Sequence, residues 1–154
     1  MKFINWTNES ERLKEKLKQL SPDSKPKWGR MDAHQMIEHL ILIFEMSNGT
    51  KIVEVLTPEK YIDKTQAFLL TDQEMPKNYV AEFIPKDPIP YKYSNLNLAI
   101  DALSTSIEKY HSYWEVNCED LCSHPVFGRL NKNLWNRLHN KHITHHLLQF
   151  GISL

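Results

Sequence analysis

Four of the chain's eight histidines stand close together near its C-terminal end: His139, His142, His145 and His146. Imidazoles at this density can do two things. They can pair with one another and with carbonyls inside a core, or they can meet on a divalent ion. The stretch Asn131–Phe150 contains neither proline nor glycine, and Gly151 follows it. That pattern predicts one helix with Asn131 as N-cap and Gly151 just past the end. On a wheel of roughly 100° per residue, Leu134, Trp135, Leu138, His142, His145, His146 and Gln149 share an inward side. Asn133, Asn136, Arg137, Asn140, Lys141 and Thr144 take the opposite side. Residues four apart on a helix have Cβ atoms roughly 6 Å apart, a spacing at which His142 and His146 can grip one ion.

A third inward imidazole would complete such a site, and His39 qualifies. Residues 31–48 predict a second helix, with Asp32 as its cap and Gly49 closing it. Only His34, Glu38 and Glu45 form its narrow polar edge, so a helix this apolar is buried on several sides. His34 reads as a surface residue on that edge. His39 lies away from it, beside Ile43 and Met46, where an imidazole needs a partner because an unpaired buried polar group costs about 1–3 kcal/mol. Three neutral histidines leave a coordination position open, as catalytic sites do. An ion there lowers the pKa of a bound water or holds a thiol as thiolate. Gln149 can orient a ligand or a water, or be a core amide bonded to backbone. Asp32 or Gln35 can steady His39. Trp135 reads as core, and His111 as an edge residue.

The remaining elements follow from periodicity and punctuation. Asn8–Leu20 predicts a first helix with an Asn8/Glu11 capping box, ended by Ser21-Pro-Asp-Ser-Lys-Pro26. Thr57-Pro-Glu predicts a shorter helix to about Leu70, capped by Thr57. Met75-Pro76 and Ile84–Pro90 break a long connection that holds at most a short strand at Tyr79–Ile84. Asn95–Asn117 predicts another long helix through Leu98, Ile100, Leu103, Ile107, Tyr110 and Trp114. Glu119–Arg129, with His124-Pro-Val-Phe-Gly128, reads as a connector. Four long helices and a shorter one predict an all-α antiparallel bundle in one domain over residues 1–154.

Composition excludes several function classes. Lys+Arg and Asp+Glu balance at 19 each, with 41% hydrophobic and 25% charged residues, so no basic footprint for nucleic acid is expected. The longest unbroken apolar run, Leu40–Phe44, is far too short to span a membrane, and the start lacks a signal-like segment. A cytoplasmic protein is the expectation. Cys118 and Cys122, spaced C-x3-C, read as reduced thiols, with a Cys₂His₂ structural zinc site as the other reading. No G-x-S-x-G, H-E-x-x-H or glycine-rich phosphate loop occurs.

Taken together, Gln35-Met-Ile-Glu-His39-Leu40, His124-Pro-Val-Phe-Gly128, Trp135 and His142-Ile-Thr-His-His146-Leu-Leu-Gln149-Phe-Gly151 resemble the DinB-like metal-binding bundles. More narrowly, they are similar to a bacterial branch of unknown function ending in H-x-x-H-H-x-x-Q-F-G. The likeness is clearest from about Trp28 to Gly151. It implies a four-helix bundle holding a divalent ion, nickel or zinc, on His39, His142 and His146, with His145 outside the ligand set. Many such bundles carry an arginine after the last ligand. Leu147 stands there, so that arginine's role is not implied. The resemblance further implies a small-molecule substrate, with a low-molecular-weight thiol for transferase members and a water for hydrolase-like ones, and often a homodimer. A bundle in which the metal or the histidine cluster only holds helices together remains the other reading.

Overall fold

Residues 2–85 and 89–154 are described in a computed structural model. The fold is all-α apart from one small hairpin. After a 3₁₀ turn at Trp6–Asn8 come α1 (Ser10–Leu17), α2 (Ala33–Ser47), α3 (Glu59–Leu69) and α4 (Leu96–Val116). The strands β1 (Cys122–His124) and β2 (Gly128–Leu130) precede α5 (Lys132–Gln149). No helix among the described residues is long and apolar enough to cross a membrane.

Helix α2 is the axis of the structure. Asp32 caps it by accepting from the Gln35 N–H at 2.7 Å, while the Gln35 side chain accepts from the Asp32 N–H at 2.9 Å. These two residues are therefore spent on the cap and do not serve to steady His39. None of α2's residues is exposed, and Met36, Ile37, Leu40, Ile43 and Phe44 are at or near zero accessibility. Against it lies α4, capped by Asn95, with Ala99, Ile100, Leu103, Ile107, Tyr110 and Trp114 buried. Leu98, expected in that stripe, is 48% exposed; Ala99 takes its place.

Several expectations are corrected by tertiary contacts. His34 is buried rather than at the surface. It stacks on Tyr91 at 3.9 Å and 3°, and its Nε2 contacts Glu38 at 3.0 Å. Glu38 in turn accepts the backbone N–H groups of Lys92 and Tyr93, each at 2.8 Å. The polar edge of α2 is thus a docking strip for the segment before α4. The Asn8/Glu11 box does not form, because Asn8 belongs to the 3₁₀ turn that buries Trp6, and α1 starts without a side-chain cap. Thr57 does not cap α3 either. The Leu56 and Thr57 N–H groups are drawn to the Pro125 carbonyl, and α3 begins after Pro58. No strand forms at 79–84; residues 86–88 of the expected 84–90 break lie outside the described residues. The expected connector at 119–129 contains the β1–β2 hairpin, registered Cys122↔Leu130 and His124↔Gly128.

Helix α5 keeps both predicted ends. Asn131 accepts from the Leu134 N–H. At the far end Gly151 has φ +72, its N–H bonds to the Leu148 carbonyl at 3.0 Å, and the Ile152 N–H reaches Leu147 at 2.9 Å. This is the paired C-terminal cap that favours glycine at the left-handed position. Part of the polar side of the α5 wheel is covered, however. Lys141 and Thr144 are each 1% exposed, beneath Trp6, Phe3, Phe68 and Gln73.

Candidate metal centre

The antiparallel run of α2 against α5 sets His39 opposite His142 and His146. Their ring nitrogens converge: His39 Nε2 lies 2.9 Å from His142 Nε2, and His146 Nε2 lies 3.0 Å from the same atom. All three ligand atoms are within 4.8 Å of one another. Around a tetrahedral zinc, nitrogens at about 2.0–2.1 Å from the ion stand roughly 3.3 Å apart. Two of the three pairs are thus slightly tighter than ligand geometry and the third is within 4.8 Å, so a small turn of the rings brings the set to it. His146 is buried, and His39 and His142, of intermediate exposure as whole residues, have their rings enclosed.

Hydrogen-bond bookkeeping sharpens this. The Gln149 Nε2 donates to the Trp28 carbonyl at 2.9 Å, which fixes the orientation of the amide. Its Oε1 then faces His146 Nδ1 at 2.7 Å and must accept a proton from it. A neutral His146 so held presents a bare lone pair at Nε2. His142 Nε2 touches both other nitrogens but has a single in-plane position, filled by one hydrogen or one lone pair. With a hydrogen there it can donate to only one of the two. With a lone pair it can accept from His39 but then faces the bare Nε2 of His146. In either tautomer one of the two contacts lacks a proton. A cation between the rings accepts all three lone pairs and removes the conflict. The donor set fits a divalent ion, and its members are held in the form that binds one. Burial lowers the pKa of His39 to about 4, with His145 adding to the effect. Burial first, then the neighbouring histidines, puts His142 and His146 well below the ordinary imidazole value.

The other histidines have separate tasks. His139 stacks on Phe44 at 3.8 Å and 4° and donates through Nε2 to Ser47 Oγ at 2.8 Å, whose own hydrogen goes to the Phe44 carbonyl. His124 Nδ1 accepts the N–H groups of Val126 and Phe127 and so shapes the hairpin turn. His111 Nε2 reaches the Thr7 carbonyl at 2.6 Å, an edge role as expected. His145 stands outside the cluster, edge-on to Trp28 at 5.4 Å. Trp135 is fully buried core, with its N–H on the Cys122 carbonyl. Cys118 is exposed and Cys122 buried, and both are free thiols.

Gln149 therefore does both things its position allowed, meeting a backbone carbonyl and orienting a ligand imidazole. The contribution of Trp28 is one that pattern reading misses, since a backbone carbonyl carries no residue signature. Its trace in the sequence is Gly29. That residue has φ +80, and a Cβ there would sit 2.9 Å from Gln149 Nε2. Gln149→Ala is expected to weaken divalent-metal affinity by about 10–100-fold, because it frees the His146 ring to turn and to change tautomer. Competition against a chromophoric chelator measures this, and unchanged affinity would show that Gln149 merely fills space.

Comparison with known proteins is sparse. Residues 4–151 match the family described as "Protein of unknown function (DUF1569)", and the chain belongs to that family. No curated protein and no solved structure matches it.

Proposed function

We propose that this DUF1569 protein is a metal-dependent enzyme of the DinB-like kind, with His39, His142 and His146 holding one zinc or nickel ion. The observation that carries the proposal is the nitrogen count, in which only one of the two close N···N contacts at His142 can be a hydrogen bond without a cation. When bound, such an ion supplies Lewis acidity toward a water or a thiol at the position the three ligands leave open. The protein's own part is to hold the ligands. Gln149 keeps His146 in the tautomer that bares Nε2, and burial keeps His39 and His142 neutral. Thiol S-transfer and hydrolysis both fit this arrangement, and a low-molecular-weight thiol is the first substrate class to try.

A structural reading has one observation in its favour: the three ligands tie α2 to α5 within the core. Metal analysis of the purified chain, followed by chelation, separates the two. The enzyme reading expects about one divalent ion per chain, lost on chelation together with turnover of a thiol and an electrophile, while far-UV circular dichroism persists. Collapse of the helical signal with the metal would favour the structural role. No stoichiometric uptake of zinc or nickel would overturn both.

A further inference from the structure

Three of the four tryptophans have an acceptor for the indole N–H: Trp6 on Thr144 Oγ1, Trp114 on the Ser47 carbonyl and Trp135 on the Cys122 carbonyl. Trp28 is the exception. Its Nε1 is buried and has no partner among the described residues. Buried donors are almost always satisfied, so an orphan marks a place where something else binds. Trp28 lines a small cavity, walled also by Lys77, Lys141, Thr144, His145 and Glu74, with room for about one water-sized group.

The wall is positively charged in an unusual way. Lys141 is 1% exposed, yet its Nζ bonds at 2.5 Å to a neutral group, the Gln73 carbonyl. The rings of Phe3 and Phe68 flank it at 4.4 and 4.6 Å. Lys77 places a second ammonium 4.5 Å from the Trp28 ring centroid. Glu74 opposes them, and Asp72 also faces Lys141, but both acids are exposed, where solvent screens them. Burying an ammonium is costly without compensation, and an acceptor bearing negative charge would satisfy lysine and indole together.

We infer that this cavity is a binding site for a small singly charged anion of halide size, held by the Trp28 N–H, Lys141 and Lys77. The site needs no metal, so it stands or falls separately from the three-histidine centre.

The four indole N–H resonances of the metal-stripped, full-length protein test this directly, with sodium chloride and sodium acetate as probes and Trp28→Phe assigning the Trp28 signal. The expected result is a saturable downfield movement of the Trp28 N–H alone, since the other three already have acceptors. A response to chloride and not to acetate is expected, because acetate exceeds the cavity, and a response to acetate alone would overturn the assignment. Lys77→Gln, at an exposed position, should weaken the binding about threefold while the fold is kept. A Trp28 resonance unmoved by either salt, or all four moving together in proportion to ionic strength, would overturn the assignment.

Discussion

Replacing His142 by alanine is expected to release the divalent ion while leaving the helices in place. His142 is the hub of the cluster: its Nε2 is the atom that contacts both His39 and His146. Structural zinc sites bind with about 10–16 kcal/mol shared over their ligands, so losing one costs roughly 3–4 kcal/mol, or about 10²–10³-fold in affinity. The secondary structure should survive. Position 142 lies inside the uninterrupted α5, and alanine is the strongest helix former. His145→Ala is the control. It removes a neighbouring imidazole that stands outside the cluster, against Trp28, and should leave metal affinity within a few-fold. Titration of both variants with zinc against a competing chelator, with circular dichroism alongside, reads the difference. Equal retention in His142→Ala and the parent, or equal loss in the two variants, would refute a site built on His39, His142 and His146.

That the cluster could be read from the sequence, while much around it could not, follows from the range of the forces involved. Asp32, Asn131 and Gly151 act on their own helix ends, within a few residues, and each sits where chain-local reasoning puts it. The inward placement of His39, His142 and His146 follows from helix periodicity once the helices are given. Residues whose environment comes from elsewhere in the chain were misplaced. His34 looks exposed until Tyr91 stacks on it, and Lys141 looks like a solvated lysine until the N-terminal segment and Gln73 close over it. Asn8 has the side chain of a cap, but burial of Trp6 takes its backbone into a 3₁₀ turn. The hairpin escaped because three-residue strands are too short to show alternation, and their register depends on Gly128 at φ +77.

The metal-stripped protein is expected to lose stability steeply as the pH falls below about 6.5, and the metal-loaded protein to resist that loss. Six histidines have pKa values lowered chiefly by burial: His39 to about 4, His124 to about 3, His145 below the ordinary value, and His139, His142 and His146 well below it. In the unfolded chain each titrates near 6.5. Between that value and the folded one, the unfolded state binds the proton and the folded state does not, so stability falls with falling pH. Each such group contributes about 1.4 kcal/mol per pH unit within its window, and His39 alone about 3 kcal/mol between pH 6.5 and 4. Against a typical total of about 5–15 kcal/mol, several groups acting together suffice to unfold the stripped chain by roughly pH 5. Bound metal stabilises only the folded form and must be displaced by protons first, which moves the transition to lower pH. Urea denaturation at a series of pH values gives the proton uptake from the slope. In the stripped form, the slope for His142→Ala should be smaller by about one proton, since one buried imidazole is gone. Stability that stays flat or rises from pH 6.5 to 5 would mean that these rings are solvated or already protonated in the folded protein, and a site of neutral, converging imidazoles could not stand.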